Sequence, residues 1–323
     1  MKNLLILIFI CFSLIQVSCS NNLVVNDTTI TFASIDEGRE ILTAPDEFAR
    51  NLSPFDRAAR LKTDNSVSQE EFLAFVGKSV RQWKRKEKQQ IVAALEGVQE
   101  NLDNLSLPLP EQVLLVKTTG DEEGGVAYTR ANAIVLPEHY LSWPVEKLQK
   151  TISHELFHII TRTNPDLREK LYAAIGFGEC REIDLPEELK LRKITNPDAP
   201  KSKHYIRIRA EGEKHWAIPV IFSRAENYDM AQGGDFFRYL KFRFLLVDLD
   251  DDTSTCQPLY DDRTPRLVRM RDIFGFFEQT GINTEYIIHP EEILASNFAL
   301  LVLQEQDLPS PEVVNQMQNI FKQ

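Results

Sequence analysis

The chain has 323 residues, 43% apolar and 26% charged, an ordinary globular composition with length for one or two domains. With 48 acidic against 37 basic residues the net charge is −11, and there is no long basic run, which argues against nucleic acid as a partner. After the first 19 residues no stretch has the length and unbroken apolarity of a membrane span.

Met1 to Cys19 opens with one lysine, continues as LLILIFICFSLI and ends in Gln16-Val17-Ser18-Cys19. A short basic start, an apolar centre and a small-residue end predict a signal peptide over residues 1–19 and an exported mature chain. The Val-Ser-Cys ending resembles a bacterial lipoprotein signal, although Gln16 stands where that family usually carries leucine or another apolar residue. The resemblance implies a lipid on Cys19 and a membrane-anchored protein in the periplasm or on the cell surface. Cleavage nearby by an ordinary signal peptidase is the alternative, and it too places the chain outside the cytoplasm. If Cys19 carries lipid, Cys180 and Cys256 remain, as a disulfide or as two separate buried thiols.

Residues 20–34 read as a polar tether and residues 35–106 as a helical region. Ser53-Pro54 and Ser68-x-x-Glu71 are helix starts, and Phe72, Val76, Val80, Trp83, Ile91, Leu95, Val98 and Leu102 recur at helical intervals. This region is expected to form a layer on the main domain, with a separate recognition module as the alternative. Leu107-Pro108-Leu109-Pro110 ends it, and residues 107–323 form the second unit. There the period changes to two: strands are expected at 113–118, 126–130 and 133–137, with a turn at Gly120 to Gly125.

The sheet leads into Pro144 to Arg162, PVEKLQKTISHELFHIITR. Pro144 suits a first turn, and Val145, Leu148, Ile152, Leu156, Ile159 and Ile160 give a buried apolar side. His154-Glu155-Leu156-Phe157-His158 is an HExxH motif, whose i, i+4 spacing puts both imidazoles on one helix face. That pair can ligate Zn2+, and Glu155 is then placed as general base. Beyond it come a short helix from Pro165, acidic residues including Glu179 and Glu182, and a β-rich insertion over about 194–250.

Catalytic zinc takes three protein ligands and keeps one position open. No histidine follows the motif closely, so glutamate is expected as the third ligand. Glu179 and Glu182 are short-range candidates in a segment of weak helical character, whereas Glu292 begins a helix at Pro290. Positions 295, 296 and 299 on its face are Ala, Ser and Ala, small enough for another helix to come close.

A sheet followed by an HExxH helix resembles the zincin class of zinc peptidases, whose edge strand pairs with extended substrate. The stretch Glu292-x-x-Ala295-x-Asn297-Phe298-Ala299 resembles the third-ligand helix of the ImmA/IrrE group and, more loosely, of the HtpX type. The resemblance covers two helices, and the gap between them is unusually long. It implies an α+β fold with a gluzincin-like core and a zinc metallopeptidase acting on peptide or protein, with Glu155 as base and zinc on His154, His158 and Glu292. A zinc hydrolase of another substrate and a non-catalytic binding module with a structural or vestigial metal site are the alternatives. Such a peptidase needs an oxyanion donor, for which Tyr205 and His289 are the candidates.

Overall fold

The computed structural model describes residues 23–250 and 252–322, so the expected signal peptide and Cys19 lie outside the described residues. The expected tether is corrected at once, because Leu23–Val25 and Thr28–Phe32 form an antiparallel hairpin. Asn26 and Asp27 take the left-handed conformation between them, a turn chemistry that suits tight hairpins. Alternation explains the strand: Thr28 and Ile30 point inward and are buried, and the hairpin joins the first sheet.

Residues 35–106 are mainly helical, with helices at Ile35–Leu42, Glu47–Asn51, Pro54–Leu61, Gln69–Ser79 and Arg85–Asp103. Ser34, Ser53 and Ser68 each accept a backbone N–H from the third helical residue, whose carboxylate in turn accepts the serine's own N–H. The last helix buries Ile91, Leu95, Val98 and Leu102 in the same apolar cluster as Leu148, Ile152 and Phe298. The helical region therefore forms a layer on a shared core.

The first sheet runs Leu23–Val25, Thr28–Phe32, Gln112–Thr118, Ala133–Pro137, Tyr128–Arg130. Its three inner strands are parallel, its two outer strands are antiparallel to their neighbours, and Tyr128–Arg130 is one edge. Behind it runs the motif helix, Val145–Thr163, with Leu148, Ile152, Leu156, Ile159 and Ile160 fully buried.

The β-rich region is longer than the sequence indicated. Its sheet draws strands from Phe177–Glu179 through Ile273–Phe274, and its path is Thr255–Pro258, Leu240–Asp250, Glu213–Ser223, His204–Ala210, Ile273–Phe274. Ile206, Ile208 and Ala210 turn inward while Arg207 and Arg209 face water, and Glu211-Gly212, both at positive φ, close the hairpin. The two-residue strands after Asp250 carry no periodic signal in the sequence. Cys180 and Cys256 are both buried in one apolar cluster and are free thiols.

The chain then returns through Pro290–Val302 and Pro311–Phe321. The first of these lies along the motif helix, with Ala295 and Ala299 fully buried and the Phe157 and Phe298 rings 5.6 Å apart. Small side chains at the crossing let the two backbones approach. The architecture is α+β, and no helix among the described residues is long and apolar enough to cross a membrane.

Candidate metal centre

Two buried helices bring the site together. His154 and His158 project from the same face of the motif helix, their ring centres 4.8 Å apart. From the opposing helix Glu292 Oε2 lies 3.1 Å from His154 Nε2 and 3.7 Å from His158 Nε2. The ligand atoms of these three residues all fall within 4.8 Å of one another, so the group can hold a metal ion. Glu292 is 2% exposed, and its other oxygen accepts from Asn196 Nδ2 at 2.6 Å. Burial opposes its charge, but His158 and His154 outweigh that and hold its carboxyl near 2.

Glu291, one residue earlier, has partners of its own. His158 Nδ1 donates to its Oε1 at 2.8 Å, and the Thr161 and Tyr172 hydroxyls donate to the same carboxylate. Glu291 keeps the proton on Nδ1, so the proton that leaves His158 when a metal binds is the one on Nε2, which gives the tautomer that a metal ligand needs. His289 fixes the start of this helix by accepting the Glu291 backbone N–H. It is packed against Tyr172 and His204 and does not line the cleft beside His154.

Glu155 faces the same space. It is 4% exposed, and its Oε2 has no hydrogen-bond partner among the described residues. Burial, with Asp198 and Glu292 nearby, pushes its carboxyl well above the usual range despite His158 and Arg162.

These groups open onto a cleft of about 460 Å³, walled by Tyr128, Tyr140, Ile221, Phe237, Leu240 and Tyr286. Tyr286 stacks on His154 with ring centres 6.2 Å apart. Tyr286 is 42% exposed, yet desolvation by the cleft wall and the carboxylates of Glu292, Asp198 and Glu155 raise its phenol well above the ordinary value, so it stays a proton donor. Sequence reasoning missed it; the available signal was its position just ahead of the Glu292 helix. Tyr205 instead packs on Trp216 in the second sheet, 5.0 Å between ring centres.

The short-range glutamates are also placed elsewhere. Glu182 is exposed, and Glu179 pairs with Lys203 and groups with Glu169 and His204, outside the histidine pair of the motif. Two imidazole nitrogens and one carboxylate, with a second carboxylate fixing one ring and an unpartnered buried oxygen alongside, fit a divalent cation with an open coordination side. Comparison with known protein families, with curated proteins and with solved structures finds no match for the chain.

Proposed function

We propose that the chain is a zinc-dependent peptidase of the zincin type that hydrolyses a peptide bond with Glu155 as general base and acid. The observation that carries this reading is the meeting of His154 and His158 with Glu292, 292 − 158 = 134 residues downstream, beside the unpartnered Oε2 of Glu155. Two nitrogens and one oxygen with a free side are the donor set of catalytic zinc rather than of a closed structural site.

Zinc bound there supplies Lewis acidity, which lowers the pKa of a water to about 7 and polarises the scissile carbonyl. Glu155 takes the proton from the attacking water. It then returns that proton to the departing amine, so the C–N bond breaks with no covalent enzyme intermediate. In this reading Tyr286, which lines the cleft beside His154, donates its phenolic proton in a hydrogen bond to the developing oxyanion. The amino-terminal sequence supports export, with a lipid on Cys19 as the anchor.

The test is Glu155→Gln in the zinc-loaded protein. Peptide hydrolysis is expected to fall by about 10²- to 10⁴-fold with zinc stoichiometry unchanged. Wild-type activity in the variant refutes the role of Glu155, and a wild-type protein that binds zinc and cleaves no peptide supports a binding module instead.

A further inference from the structure

The outer edge of the strand beside the metal centre is already occupied by the chain itself. Thr129 in Tyr128–Arg130 turns its N–H away from the sheet, and Asp198 Oδ1 accepts it at 3.0 Å. The Thr129 hydroxyl donates to the same oxygen, as does Arg162 Nη2 at 3.1 Å. Two residues earlier, Asn196 holds Glu292, and its side-chain oxygen accepts the Asp198 N–H at 2.9 Å. An extended peptide therefore has no free pairing site at Thr129.

This segment is a fixed wall. Thr195 N–H donates to both oxygens of Asp56 at 3.1 and 3.0 Å, and Thr195 C=O accepts from Arg60 at 3.0 Å. Asp56 and Arg60 are fully buried, and Arg60 also bonds the buried Glu123, so the anchor is an ionic network inside the protein. At the other end Lys193 Nζ donates to Pro200 C=O at 2.7 Å, and Lys201 pairs with Glu47. The amino-terminal helices thus hold a wall in the second half of the chain.

We propose that the wall Thr195–Lys201 makes the site end-selective: its substrate is a peptide whose free amino terminus abuts Asp198, not an internal stretch of a long chain. This rests on the peptidase reading above. The closed end is rich in acceptors: carboxyl oxygens of Asp198 and Glu155 lie with His158 within 4.8 Å, and Oε2 of Glu155 has no hydrogen-bond partner among the described residues. An ammonium group brings donors to those oxygens, whereas a carboxylate end brings only acceptors. On the other side the cleft continues past Val126 and Ala127, which line it.

The test uses the zinc-loaded protein and one fluorogenic peptide sequence in three forms: free at both ends, acetylated at the amino end, and amidated at the carboxyl end. Acetylation is expected to lower kcat/KM on the order of tenfold or more, the worth of a charge-assisted hydrogen bond, and amidation to change it little. Calorimetry of the same peptides on the metal-free protein is expected to give the same ranking. Asp198→Ala, with Asp198→Asn as the conservative companion, should recover part of the loss on the acetylated peptide by freeing the Thr129 N–H. Equal cleavage and equal binding of acetylated and free peptides overturn end selectivity while leaving a peptidase. Cleavage of none of them overturns the peptidase reading and this inference with it.

Discussion

The Nδ1 of His158 lies 2.8 Å from the Oε1 of Glu291, so the carboxylate next to Glu292 holds the second imidazole from behind. Adjacent residues of one helix thus address two nitrogens of the same ring, Glu291 at Nδ1 and Glu292 near Nε2. Glu291→Gln keeps the size and can reverse the hydrogen bond, stabilising the wrong tautomer. Zinc affinity, measured by chelator competition, should fall by roughly 10- to 100-fold while the circular dichroism spectrum is unchanged. Wild-type affinity would remove Glu291 from the metal centre.

Tyr286 tests the reaction rather than the metal. Removing one oxyanion donor costs on the order of 10² to 10³ in kcat. Tyr286→Phe keeps the ring that stacks on His154 and loses only the hydroxyl. The expected result is a lowered kcat with KM and zinc content near wild type; a change confined to KM would mean that the ring only shapes the cleft.

Zinc uptake should depend on pH through His158. Burial works against its charge, but Asp198, Glu292 and Glu291 outweigh burial and raise it to about 10 in the metal-free protein. Its proton must leave for zinc to bind, so at pH 7 each zinc should release at least one proton, and apparent affinity should rise with pH toward 10. The sign for stability is opposite. A group raised in the folded state stabilises fully below its unfolded value, 6.5, and that contribution is lost as pH climbs through about 10. The metal-free protein should therefore lose thermal stability over that window more than the zinc-loaded form. Calorimetry in buffers of different ionisation enthalpy counts the protons; no release at pH 7 would contradict the charged state of His158.

Arg60 should be among the most costly residues to replace. Its guanidinium is fully buried between Asp56 and Glu123, 2.6 Å from each. Arg60→Met leaves two buried carboxylates without their partner, a loss of roughly 3 to 5 kcal/mol by analogy with broken buried pairs. Urea unfolding checks this. The triple change Arg60→Met, Asp56→Leu, Glu123→Leu should recover much of the stability, because it removes the stranded charges as well.

What the sequence determined is local. The HExxH spacing put His154 and His158 on one face because helical periodicity needs no information from elsewhere in the chain. Capping chemistry at Ser53 and Ser68 marks helix starts, and the strands preceding the motif are legible as short apolar runs between turn residues. The small residues Ala295 and Ala299 even announced a close helix crossing. Tertiary structure decided everything that depends on which remote segments meet: that Glu292 and not Glu179 or Glu182 faces the histidines, that Glu291 braces His158, and that Tyr286 and not Tyr205 or His289 enters the cleft. It also decided that Asp198 closes the edge at Thr129, held there by Arg60 more than a hundred residues away in sequence. Such meetings are fixed by core packing and by the need of buried polar groups for partners, and neither leaves a periodic trace in the chain.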